Sequence, residues 1–202
     1  MLAVASAATA ADIDWRTQVG YGDRIAMAAI DDAGYRLTSN GIERTIPPGP
    51  ARVTTASVLF DALFALAQAE LADARVAQIT DGAFNHGQPL ACECLETGEK
   101  WRYVWTRDLA YSTDLSLFRF DPQRARNGLE FKLSGARNAG VPAEPADSRF
   151  PVSSAPTYVV QDTGSGGSWP ISTDRIVWFL GARHLLDGPA FAGKVYKALN
   201  DT

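Results

Sequence analysis

The sequence predicts an all-α protein, an arc of a helical toroid built from hairpins, with short β-hairpin segments in its loops. Three observations predict it. Residues 107–120 and 173–186 are apolar around most of a helical circumference. Each ends at a proline break and is followed by a helix that is apolar on one face only. The two units also repeat: Asp108 and Asp174 lie 66 positions apart, and Pro122 and Pro189 lie 67 apart. A helix buried on both faces, followed by one buried on a single face, describes two concentric layers.

The start, MLAVASAATAAD, is apolar and built of small residues, and Ala8-Thr9-Ala10 resembles a signal-peptidase site, although no positive n-region precedes it. Residues 1–11 are therefore expected to be the remnant of a signal peptide, which implies a periplasmic or secreted protein. A frayed, Ala-rich terminus on a cytoplasmic protein is the alternative. Residues 12–55 form a lead-in segment punctuated by Gly20, Gly22, Gly34, Gly41 and the run Pro47-Pro48-Gly49-Pro50. A short helix is expected around Arg24–Ile30. From Ala56 to Val76 the spacing predicts a helix whose narrow polar stripe, Asp61, Gln68 and Arg75, recurs every seven residues. The first part of the catalytic-type domain is placed at 56–202. Residues 89–105 predict a hairpin turning at Thr97-Gly98.

Trp105-Thr106-Arg107-Asp108 then opens the first all-round apolar helix. Asp121-Pro122 ends it and starts the next, because aspartate caps a helix and proline suits its first position. That second helix carries its stripe at Ala125, Leu129 and Leu133. Residues 136–154 read as a wandering loop and Thr157–Gln161 as a short strand. A glycine-rich stretch, 162–169, leads to Ser172-Thr173-Asp174-Arg175 and the second apolar helix. The last helix shows Phe191, Val195 and Leu199 on one face.

Bulk properties exclude several functions. The chain of 202 residues has a net charge of -4 and a pI near 5.2, and it carries no basic block, so nucleic acid is not an expected partner. The longest apolar stretch, Ser57–Ala67, is too short to span a bilayer and contains Asp61. No metal site is expected, since His86 and His184 are far apart in sequence and Cys92 and Cys94 offer too few ligands. On a strand the two cysteines share a face, a poor arrangement for bonding each other. They read as small half-buried residues beside a polar turn.

The charged pair Arg107–Asp108 is the oddity. An aspartate in the first turn of a helix is stabilised by the dipole, and a cation there is not, so the arginine implies a specific use, either an ion pair or a ligand. Trp105, Trp169, Tyr103 and Tyr111 add flat aromatic faces. Sugars present hydroxyl edges, which Asp and Arg bind with charge-assisted hydrogen bonds, and C–H faces, on which Trp stacks. Trp105, Arg107, Asp108, Tyr111, Asp162, Trp169, Asp174 and Arg175 are the candidate substrate-binding residues, and Asp108 and Asp174 are expected at one end of the helix array. A structural ion pair among core tryptophans explains the same residues. Gly164-Ser165-Gly166-Gly167 does not meet the G-x-G-x-x-G pattern and no lysine follows, which argues against a phosphate loop.

YVWTRDLAYSTDLSL resembles the W-T-R-D segment of glucoamylases and of the wider six-hairpin, (α/α)6-toroid glycosidases. QDTGSGGSWPISTDRIVW resembles a segment of uncharacterised bacterial members of that group. The resemblance covers about residues 57–200. It implies a partial (α/α)6 toroid, binding of carbohydrate, and hydrolysis of glycosidic bonds in oligo- or polysaccharides without a cofactor. It also implies that Arg107 and Asp108 hold hydroxyls of the non-reducing-end sugar, with Trp105 beside them. Such enzymes need an acid and a second carboxyl across the scissile bond. In the glucoamylase pattern both are glutamates far downstream of W-T-R-D, so they are expected beyond residue 202, in a missing C-terminal part of the same chain. A non-catalytic carbohydrate-binding or scaffold toroid and a toroid-type polysaccharide lyase are the alternatives.

Overall fold

The computed structural model describes residues 14, 16–80, 87–100, 102–133, 159 and 174–201. It divides the chain into two compact units, 1–73 and 74–202.

The first unit corrects the all-α expectation. Four strands, β1 (Gln18–Tyr21), β2 (Arg24–Asp31), β3 (Gly34–Ser39) and β4 (Ile42–Ile46), form an antiparallel sheet in sequence order. The registers Tyr21↔Arg24, Asp31↔Gly34 and Ser39↔Ile42 leave two-residue loops at every corner. The last loop is Asn40-Gly41, with φ of 51° and 76°, the backbone that a two-residue hairpin requires and that Asn-Gly adopts most readily. Arg24–Ile30, expected as a short helix, is therefore part of a strand. Helix α1 (Val58–Asp73) packs Leu59 and Ala62 against Ala28, with Tyr35 and Leu37 alongside. Two members of the expected polar stripe hold the loop before the helix. Asp61 accepts from the Thr55 amide at 3.1 Å and from its hydroxyl at 2.8 Å. Gln68 bonds both the amide and the carbonyl of Ala51. The helix ends at Asp73, and the third member, Arg75, opens a strand instead.

In the second unit β5 (Arg75–Ile79) pairs antiparallel with β6 (Leu90–Leu95). The expected hairpin at 89–105 is thus replaced by pairing with an upstream strand, and Thr97 N donating to Tyr103 O at 2.9 Å is one bond that links its two arms. Cys92 and Cys94 form a disulfide, contrary to the reading of two unlinked residues. The reason is local. Glu93 between them has φ of 45°, and the register skips from Val76↔Cys94 to Gln78↔Ala91, so β6 carries one extra residue there. That bulge breaks the strand geometry which would keep the two Cβ atoms parallel.

The helical part follows the predicted boundaries closely. α2 (Thr106–Ser112) continues through a π-helical turn (Thr113–Leu117) into the short α3 (Phe118–Phe120). Asp121 then caps α4 (Pro122–Phe131) by accepting from Arg124 N at 3.3 Å. α5 (Asp174–Ala182) runs into a 3-10 turn (Arg183–Leu185), and α6 (Pro189–Asp201) follows. Gly128 of α4 lies against Leu109 of α2, so α4 runs back along α2. Leu109, Ala125, Leu129, Trp178, Ala182, Leu185, Phe191, Val195 and Ala198 build one core, and the fully buried Trp178 donates Nε1 to Leu129 O at 3.0 Å. α6 buries Ala198 rather than the expected Leu199. The two inner helices are not buried all round: Leu115 is 79% exposed and Ile176 69%. Val159, within the predicted strand 157–161, bridges Leu133; the rest of that segment lies outside the described residues.

The fold is therefore mixed α and β, with a four-stranded sheet, a two-stranded sheet and helical hairpins, and it is not an all-α toroid. Among the described residues no helix is long and apolar enough to cross a membrane.

Candidate functional site

α2 and α5 run parallel, and three contacts along their length establish it. At their starts, Arg107 donates Nε (2.9 Å) and Nη2 (2.6 Å) to Asp174 Oδ1. Midway, a Cβ on Gly181 would stand 2.9 Å from Ala110 O and 3.2 Å from Thr113 Cβ, so only glycine permits this approach. At the far end, Asp114 Oδ1 meets Arg183 Nη2 at 2.9 Å and His184 Nε2 at 2.8 Å. Both helix starts thus lie at one end, although 67 residues separate Arg107 from Asp174.

At that end Arg107 is 45% exposed at its side chain, whereas Asp174 is only 8% exposed. A carboxylate in the first turn of α5 suits the positive end of the helix, and the arginine from the neighbouring helix balances its charge. Asp108, next in the first turn of α2, is exposed, and the alternative of an ion pair between it and Arg107 is not what forms; the arginine's carboxylate comes from the other helix. Tyr111 is exposed one turn along, on the same face as Arg107. Trp105 is half-buried at the position preceding α2. Its side chain caps no amide of the helix, its own amide donates to Thr97 Oγ1 at 3.3 Å, and its ring packs edge-on against Tyr103 at 5.6 Å. Arg175 is half-buried beside Asp174. The structure thus gathers Trp105, Arg107, Asp108, Asp174 and Arg175 near the paired helix starts. Asp162, Trp169 and the glycine-rich stretch lie outside the described residues.

Below Trp105, the fully buried Lys132 fixes the approach to α2. Its ammonium donates to Val104 O at 2.9 Å and sits 4.8 Å from the centre of the Tyr103 ring. A charged group at such depth needs this kind of partnership. Nothing in the sequence singles it out from the other charged residues of this segment.

The cluster at the other end was also missed. His184 stacks on Phe118 with ring centres 4.4 Å apart while holding Asp114. The hydrogen bond from His184, followed by that from Arg183, keeps the Asp114 carboxyl below its ordinary value, against the opposing effect of desolvation. The one available signal was the separation of 70 residues, close to the internal repeat.

Among the described residues no group of three or more His, Cys, Asp or Glu side chains is placed to hold a metal ion. No protein family, curated protein or solved structure matches the chain.

Proposed function

We propose that this chain is a glycoside hydrolase-like protein that binds carbohydrate at the paired starts of α2 and α5. One observation carries the reading: a half-exposed arginine is oriented by a buried carboxylate, with the exposed Asp108 next in the chain and the exposed Tyr111 one helical turn along. Arg107 held by Asp174 forfeits little freedom on meeting a ligand, which favours hydroxyl recognition. Asp108 supplies an acceptor for sugar hydroxyls, and Trp105 and Tyr111 supply surfaces for sugar C–H faces. The reaction served would be hydrolysis of a glycosidic bond, with an acid carboxyl and a second carboxylate across it.

A second reading, carbohydrate binding without catalysis, is favoured by the commitment of Asp174 to Arg107. Asp174 Oδ1 is already engaged by two donors of that arginine. Titration of the chain with a panel of neutral oligosaccharides, followed by tryptophan fluorescence and calorimetry, tests both. Saturable binding that Asp108→Asn weakens supports the site, and release of reducing sugar separates hydrolysis from binding. Absence of saturable binding by every oligosaccharide up to millimolar concentrations rejects both readings.

A further inference from the structure

The bulge of β6 is held from three sides. The disulfide closes around Glu93 through a sequence separation of 2. From α4, Arg124 donates to Val76 O (2.8 Å), to Cys94 O (3.2 Å) and to Glu93 Oε2 (2.9 Å), while Asn127 donates to Glu93 O at 2.9 Å. Glu93 meanwhile keeps a positive φ that a non-glycine residue adopts only when its surroundings impose it. Without the bulge, and with Gln78↔Ala91 kept, Val76 would face Glu93 instead of Cys94, and the arm of β6 that carries Cys94 and Leu95 would slide by a residue against β5. Such a slip turns its side chains to the opposite face, and Cys94 and Leu95 are both buried. The same strand leads directly to the candidate site. Glu96 N donates to Ala74 O, Thr97 N to Tyr103 O, and Trp105 N to Thr97 Oγ1. Trp105 is two residues before Arg107.

The geometry points to a redox switch: the Cys92–Cys94 disulfide, opened by a dithiol reductant, sets the register of β6 and, through Thr97, the placement of Trp105 ahead of α2. Cys92 is half-buried and Cys94 is fully buried, so the attack falls on Cys92. A thiolate of the dithiol bonds to Cys92 Sγ, the bond between the two cysteine sulfurs breaks, and Cys94 leaves as a thiolate. The second thiol of the reductant then attacks the mixed disulfide, releasing Cys92 and closing the reductant into its own disulfide. Two electrons pass from the dithiol to the protein, and its two protons end on the cysteine sulfurs. In the open form Glu93 relaxes from its positive φ and the bulge loosens. The switch stands independently of what the Trp105–Arg107 segment binds.

The test compares the full chain after oxidation by diamide with the same chain after dithiothreitol, reading thiols by alkylation and mass spectrometry and backbone opening by hydrogen exchange. Two alkylatable thiols are expected only after reduction. Exchange in residues 75–79, 90–97 and 103–107 should then rise by about tenfold or more, as local opening becomes easier, while residues 24–46 stay unchanged. Reoxidation should restore the slow rates. A double variant, Cys92→Ser with Cys94→Ser, should exchange like the reduced chain in either condition, and the reductant arm gives the same answer if that variant fails to fold. Thiols that alkylate fully in the diamide-treated chain overturn the proposal. So does a reduced chain whose exchange at 90–97 and 103–107 matches that of the oxidised one.

Discussion

Arg107 and Asp174 join the starts of two parallel helices through two donors and a single carboxylate oxygen, one partner half-exposed and the other buried. The asymmetry predicts unequal costs. Arg107→Met leaves a buried carboxylate without this cation and should destabilise the second unit by about 3 kcal/mol. Asp174→Asn leaves the arginine able to turn to water and should cost about 1.5 kcal/mol. Urea denaturation of the two variants measures the difference; equal losses would place the two residues in equivalent environments.

Asp108 has the opposite profile, exposed and outside that bond. Asp108→Asn should cost no more than the about 0.3–1 kcal/mol of a helix-start charge while lowering oligosaccharide affinity by about ten- to a hundredfold, the value of a charge-assisted hydrogen bond of about 1.5–3 kcal/mol. Loss of stability in step with affinity would assign the residue a structural role.

Two glycines in helices should respond with opposite signs. Gly181→Ala gains about 1 kcal/mol of helix propensity, but its Cβ meets a backbone oxygen of α2 at 2.9 Å. Overpacking of about 1–3 kcal/mol should win. Gly193 in α6 has nothing within 4 Å of an added Cβ, so Gly193→Ala should stabilise by about 0.5–1 kcal/mol. Thermal melts of both variants read the signs directly.

The Asp114 cluster makes stability depend on pH. Its carboxyl is held below the ordinary value of 3.8 by His184 and Arg183, so the folded state binds this proton less readily than the unfolded chain does. The contribution is therefore present above about 3.8 and is lost as pH falls through the folded-state value. Asp114→Asn should flatten the stability profile on the acid side of pH 4 relative to the unaltered chain, as measured by denaturation midpoints across pH.

The helical hairpins were legible because their signals are local. An apolar run, Asp121-Pro122, and the 191–195 spacing fix helices without knowledge of their partners. The sheet was not, because β2 buries only Ala28 of its eight residues and so shows no alternation of two. Asn40-Gly41 is the strongest turn signal there, but without alternating strands on either side Gly41 marks only a break. The disulfide was hidden by a backbone angle at Glu93 that no pattern announces. At the candidate site, Arg107 and Asp174 were visible as unusual residue types. Their bond to each other, and the pairing of Asp114 with His184, depend on packing between segments some 70 residues apart.

That separation governs how the unit assembles. A helix pair joined by a short turn closes a loop of a few residues, but Arg107 and Asp174 close one of 67. By the logarithmic law of loop closure the longer loop costs about 2.5 kcal/mol more in chain entropy. Contacts distant along the chain also slow folding. The hairpins α2–α4 and α5–α6, whose partners are near in sequence, are therefore expected to form ahead of the parallel pairing. Docking of the two halves, with Gly181 seated against Ala110 and an ionic bond closing at each end, is then expected to set the folding rate, and Gly181→Ala should slow refolding in stopped-flow measurements.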